Sequence, residues 1–319
     1  MTKHIVRKLQ HQPSIFMADN STLVIGAGEL GIAVIRALAA SELRSSESTK
    51  LKVLLRPSQN PNHRTLLSEF LSLDVAVVYG DVANDSMDVI SNLLRGHTTV
   101  ISCIGFAAGP GIQIKLARAV LAAGVSRYIP WQFGVDYDVI GRGSPQNLFD
   151  EQLDVRALLR GQTQTLWKIV STGMFTSFLF EPAFGVVDLE AAVCRALGSW
   201  ETAVTVTTPQ DIGVLTALIA KETWVSSDIV YTAGDTLTYG TLAAVVEKVL
   251  GKEVRKEIWT VENLMEDLES DPRNGMKKYR AVFAMGRGVS WPVEGTYNYR
   301  KGILVEGVES WLVGHLNGQ

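Results

Sequence analysis

Three glycines stand at the first, third and sixth positions of Gly26-Ala27-Gly28-Glu29-Leu30-Gly31. The apolar run Thr22 to Ile25 precedes them, and a segment in which Ile32, Val34, Ile35 and Leu38 recur at helical spacing follows. A strand, a glycine turn and a helix in that order can bind an anion. Gly26 permits the tight turn, Gly28 lets a pyrophosphate approach bare backbone, and Gly31 lets the helix pack on the strand. The helix N-terminus, with Glu29 and Leu30, then offers free N–H groups to the phosphates. The next strand, Leu51 to Leu55, ends in Arg56. Chains that bind NAD carry a carboxylate there for the ribose 2′-hydroxyl, whereas a guanidinium, with the Ser58 hydroxyl beside it, matches a 2′-phosphate. The expected ligand is therefore NADP(H); the alternative is that Arg56 is a solvated surface charge.

Other residues fall at the carboxyl ends of apolar runs, where open α/β sheets bind ligands. Asp81 follows the third run and is a candidate partner for the adenine amine, and Ile104, Gly105 and Phe106 close the fourth and line the adenosine side. Cys103 has no histidine near it in sequence and reads as a small core residue. Gln132 and Phe133 are further cofactor contacts, and Trp131 supplies a flat apolar wall for a substrate ring or the nicotinamide. Met174, Phe175 and Phe178, continued by Phe180 and Phe184, form either a polarizable substrate lining or ordinary core. Tyr137 has Gly141 four residues on, so no YxxxK pair exists there; it is a candidate proton donor or a packing residue. No cysteine or histidine cluster has metal-ligand spacing.

Positioning these residues requires a regular scaffold. Apolar strands Val75 to Tyr79, Thr99 to Ile104, Tyr128 to Pro130 and Trp167 to Ser171 alternate with helices His63 to Leu73, Met87 to Leu94, Ile112 to Ala123 and Leu148 to Leu159. That alternation predicts an α/β Rossmann fold, a doubly wound parallel sheet covered on both faces. The expected organisation is an N-terminal arm over residues 1–20, a dinucleotide domain over 21–175, and a smaller, mostly helical substrate lobe over 176–319. Strands near 205–207 and 228–232 return to the first domain, and helices span Pro209 to Lys221 and Leu242 to Leu250.

The 319 residues carry a net charge of -3 with acids and bases interspersed, which argues against nucleic acid as a partner. The two cysteines, Cys103 and Cys194, and the lack of a long apolar run predict a cytoplasmic protein with no membrane span. The acid-free start before Asp19 reads as a docking arm or, alternatively, a transit peptide. The sequence gives no oligomeric state.

The strings VIGAGELG, LLRPS, VVYGDVAND, VISCIG, ARAVLAAGVSRYIPWQFGVD, FDEQLDVRALLR, STGMFTSFLF and TPQDIGVLTA follow one another in an order that resembles the NmrA-like, isoflavone reductase-like branch of the atypical short-chain dehydrogenases. PWQFGVDYD followed by GRGSPQ resembles fungal proteins of small-molecule biosynthesis. The resemblance extends to about Val254 and implies an NADPH-binding domain, a small substrate lobe and reductase activity on aromatic molecules. It also implies a lysine where this chain has Gln152, a candidate cofactor and catalytic contact that cannot donate a proton as an ammonium does. Asp154 is then an alternative proton source, unless it and Arg156 simply pair on an exposed helix face. Expected is an oxidoreductase of secondary-metabolite biosynthesis that delivers hydride to a hydrophobic, partly aromatic substrate, with coupled cyclisation or isomerisation as a variant. A non-catalytic NADP(H)-sensing regulator is the alternative.

Overall fold

A computed structural model describes residues 21–40, 50–58 and 60–318. The proposed arm over 1–20 lies outside the described residues. Seven strands form one wholly parallel sheet: β1 (Ser21–Ile25), β2 (Lys50–Leu55), β3 (Ala76–Tyr79), β4 (Thr99–Ser102), β5 (Arg127–Ile129), β6 (Leu166–Ser171) and a late strand, Asp228–Tyr231. Their spatial order is β3-β2-β1-β4-β5-β6 with the late strand outermost. Each strand is short and apolar because both faces are covered. Along β1, Val24 packs into one core while Leu23 and Ile25 pack into the other, the period-two alternation of a pleat.

Helices α1 (Glu29–Ala40) and α2 (Pro61–Ser72) cover the first face. On the other lie α3 (Met87–Leu94), α4 (Ile112–Ala123) and, after the short α5 (Tyr137–Ile140), α6 (Leu148–Arg160). The chain then leaves the sheet through β7 (Met174–Phe175), β8 (Val187–Asp188), β9 (Val193–Leu197) and β10 (Ala203–Thr207), and returns with α7 (Pro209–Lys221). Helix α7 lies against α1, where a Cβ on Gly213 would come within 2.6 Å of the Ala33 backbone. The outermost strand of the large sheet is thus β11. Beyond it come β12 (Asp235–Thr238), α8 (Tyr239–Leu250), β13 (Arg255–Trp259), α9 (Val261–Ser270), α10 (Gly275–Ala284), α11 (Tyr297–Lys301) and α12 (Val308–Asn317).

Two expectations change. The strand at 228–232 does return to the large sheet, pairing in parallel with β6, but the strand at 205–207 does not. It is part of β10, which runs antiparallel to β12 and parallel to β7 in a separate three-stranded sheet, its Val204 and Val206 fully buried in the lobe core. A second small sheet, β13-β9-β8, joins the lobe, so its helices are braced by strands. Pro209 to Lys221, numerically within the lobe, packs on the nucleotide side. Among the described residues no helix is long and apolar enough to cross a membrane.

Candidate functional site

The glycine loop has the geometry its sequence requires. Gly26 sits at φ +92°, and a Cβ there would approach the Ile104 side chain to 2.7 Å. A Cβ on Gly31 would lie 2.2 Å from the Gly26 carbonyl oxygen, so only glycine lets α1 start this close to the turn. Gly28 has nothing within 4 Å of a would-be Cβ, leaving bare backbone facing open space. Glu29 is exposed and Leu30 buried at the head of α1. Arg56 and Ser58 are exposed beyond β2. Asp81 lies near Arg56, but its carboxylate is used by its own loop, accepting from the amides of Ala83 and Asn84 and from the Asn84 side chain. The Asn84 side chain is the main cause holding Asp81 below the usual carboxylate range, and the Arg56 charge adds to it. This arrangement competes with the adenine contact expected of Asp81.

The loop after β4 is tied down from α6. Glu151 accepts from the amides of Gly111 and Gln113, both at 2.8 Å, and of Ile114 at 3.1 Å, which places a carboxylate on the N-terminus of α4. The Gln113 side chain donates to the Ile104 carbonyl at 2.8 Å. Gly105 and Phe106 are thereby held against Trp131. A Cβ on Gly105 would sit 2.9 Å from the Trp131 ring, and the Phe106 and Trp131 rings meet edge to face at 4.6 Å.

Trp131, Phe133 and Phe106 open one side of a cavity of about 160 Å3 lined by thirteen residues, none of them charged. Met174, Phe175 and Phe178 form its floor, so the expected substrate contacts do share one space. Tyr137, Phe149, Tyr279 and Phe283 close it from α5, α6 and α10. The Gly134 carbonyl accepts from the amides of Thr172 and Gly173, each at 3.0 Å, and joins the loops after β5 and β6. Phe184 packs behind Phe178 in the core, whereas Phe180 stacks on Trp311 outside the cavity.

A polar cluster lies behind these walls. Arg156, fully buried, donates to the Gln132 side chain at 2.8 Å, to Asp138 at 2.7 Å and to Asp136 at 3.4 Å, and its guanidinium lies 5.2 Å from the Tyr137 ring centre. Asp136 also accepts from Tyr231 at 2.6 Å and caps α5.

A family model for the NmrA-like family matches residues 18–294. The chain belongs to the NmrA-like family. It is 44% identical over 303 residues to an NmrA-like family domain-containing oxidoreductase of Gibberella moniliformis, covering 93% of this chain and 98% of that one. A phenylcoumaran benzylic ether reductase of Nicotiana tabacum is 24% identical, covering 80% of this chain and 83% of its own length. The solved leucoanthocyanidin reductase–NADPH complex from Vitis vinifera superposes with a TM-score of 0.78 at 19% identity, covering 94% of this chain and 100% of that chain, and thus has the same fold.

Against this NmrA-like background three expected residues need correction. Asp154 is half exposed and paired with Arg142 at 2.5 Å, on the outer side of α6 away from the cavity, because Phe149, Gln152, Val155 and Arg156 take the inner face. Arg156 is not on an exposed face. The Gln132 amide donates to the Gln152 carbonyl at 2.9 Å and accepts from Arg156, so it braces α6 and keeps one N–H for any other partner. Gln152 itself is fully buried, and neither atom of its side-chain amide has a hydrogen-bond partner among the described residues. Tyr137 does reach the cavity. Burial chiefly, with Tyr279 adding to it, pushes its phenol well above the ordinary range, and burial raises Tyr279 to about 12. Sequence reasoning missed Phe149, Tyr279 and Phe283. For the last two the one signal was an aromatic pair four residues apart on a helix far along the chain.

Proposed function

We propose that the chain is an NADPH-dependent reductase whose substrate is a small, uncharged, flat aromatic molecule held in the cavity between Trp131 and Met174. The observation that carries this is the uncharged aromatic cavity at the carboxyl edge of the sheet, on the same edge as the glycine loop. The residues fit the cofactor: Gly28 leaves its backbone open to a pyrophosphate, Arg56 and Ser58 are exposed beyond β2 where a 2′-phosphate would lie, and the unpartnered Gln152 amide is the candidate contact for the polar nicotinamide end. When bound, the nicotinamide supplies hydride. The chain's own groups bind and orient: Trp131 and Phe106 hold a ring in place, Met174 and Phe178 exclude water, and Tyr137 points a neutral phenol into the space. We place the reaction in small-molecule biosynthesis in the cytoplasm.

A second reading, an NADP(H)-sensing protein without turnover, is favoured by Gln152, which offers a carboxamide and no acid. Cofactor-coupled cyclisation belongs to the first reading and differs in leaving NADPH unconsumed. Titration of the purified protein should give tighter binding of NADPH than of NADH. Arg56→Glu should weaken NADPH roughly 10- to 100-fold, the worth of a charge-assisted hydrogen bond, and leave NADH little changed. Equal losses overturn the cofactor assignment. NADPH oxidation in proportion to product with aromatic carbonyl compounds supports the reductase, and binding without oxidation across such a panel supports the sensor.

A further inference from the structure

The cavity holds two hydroxyls and no charged group. Tyr137 reaches it from α5 and Tyr279 from α10, and the Phe149 ring is packed edgewise against both, at 4.9 Å and 6.0 Å between centres. The Tyr137 ring is 2% exposed, and its oxygen occupies the space a side chain on Gly134 would fill, 2.6 Å from that Cβ position. Among the described residues neither phenol oxygen has a hydrogen-bond partner. Two hydroxyls without a protein partner in an aromatic lining are open to a ligand that can pair with them, and the shared space in front of them is the cavity.

We propose that Tyr137 and Tyr279 form a two-hydroxyl clamp on a single oxygen of the substrate, so that the cavity selects flat rings bearing a carbonyl or similar acceptor oxygen over oxygen-free rings of the same shape. The inference rests on the reading of this cavity as the substrate site. Both groups stay neutral phenols through the physiological range, since burial raises each of them, and a neutral phenol donates to an acceptor oxygen. The indole of Trp131 does not compete, because its Cε2 edge is pressed against Gly105, 3.2 Å from a would-be Cβ. Selectivity follows from the asymmetry of hydrogen bonding: a ligand without the oxygen displaces water from both hydroxyls and offers them no acceptor.

Calorimetric titration of α-tetralone and of tetralin, the same bicyclic skeleton without oxygen, into the full chain saturated with NADP+ tests the clamp. The wild type should bind tetralone roughly tenfold or more tightly than tetralin, as one to two net hydrogen bonds require. Tyr137→Phe and Tyr279→Phe should each remove most of that preference by weakening tetralone alone, with the melting temperature little changed because neither hydroxyl bonds another protein group. Equal wild-type affinity for the two probes overturns the clamp and leaves the cavity reading standing, and so does a preference that survives both substitutions. A parallel loss of tetralin affinity overturns it too, by assigning the tyrosines to ring packing. Failure of both probes to bind the wild type overturns the cavity reading and the clamp together.

Discussion

The glycine loop occupies six consecutive residues, whereas the cavity takes its walls from seven separate segments between Phe106 and Phe283. The first half of the site is backbone geometry: a Cβ on Gly26 would lie 2.7 Å from the Ile104 side chain and one on Gly31 2.2 Å from the Gly26 carbonyl oxygen, so glycine is required at both. The second is side-chain assembly, backed by the polar cluster around the buried Arg156. The contrast teaches that the pyrophosphate turn is a local property of one strand-turn-helix unit, while the shape of the cavity is a property of the whole tertiary structure. It also predicts that substitutions can separate the two.

Arg156→Met should have the largest effect. It leaves Asp138, Asp136 and the Gln132 carbonyl oxygen without their buried donor and removes the cation beneath Tyr137. Breaking a buried ion pair by deleting one partner costs about 3–5 kcal/mol. Urea unfolding measures this, and NADPH affinity of the fraction still folded should change little. A cost below about 1 kcal/mol, the size of an exposed pair, would show that Tyr231 and the cap of α5 hold Asp136 without help from the arginine.

The same contrast explains what was legible in the sequence. The alternation of apolar runs and amphipathic stretches was enough to read the large parallel sheet, with strand ends displaced by a residue or two, because each unit buries its own faces. Strand β13, Arg-Lys-Glu-Ile-Trp, was not legible: its Arg255 and Lys256 are exposed, and it is a strand because it pairs with β9 at the edge of the lobe. The fate of β10 was hidden for a related reason, since Ala-Val-Thr-Val-Thr fits either sheet and only tertiary contacts choose. In the site, Met174, Phe175 and Trp131 could be read from their places after strands. Tyr279 could not, because nothing near Gly275 to Ala284 tells a reader which distant loop that helix faces. Helix periodicity likewise placed Asp154 and Arg156 on α6 without deciding which of them turns inward.

Gly31→Ala probes the other half. The added methyl would meet the Gly26 carbonyl at 2.2 Å, so the N-terminus of α1 must shift away from the turn. Overpacking of this kind costs about 1–3 kcal/mol. NADPH affinity should fall at least tenfold, and the preference of the cavity for tetralone over tetralin should persist in the absence of cofactor. A loss of that preference would mean that the two halves are mechanically coupled through Trp131 and Gly105.

The smallest expected effect is on acid stability. Hydrogen bonding from Arg160 chiefly, and the charge of Arg156, hold the Asp138 carboxyl at about 2, below its ordinary 3.8. A carboxylate with a depressed native pKa contributes stability that is fully present above its unfolded value and lost as pH falls through the native one. The contribution of Asp138 is therefore complete at neutral pH and disappears between about pH 4 and pH 2. Asp138 is about one third exposed, and solvent screens its pairs. Asp138→Asn should lower the urea midpoint modestly at pH 7, and its curve should converge on that of the wild type as the pH drops through this window. A difference independent of pH would trace the loss to packing of α5 and not to charge. Since α5 carries Tyr137, the cavity side should loosen in acid before the glycine loop does, which tetralone binding and NADPH binding can follow separately.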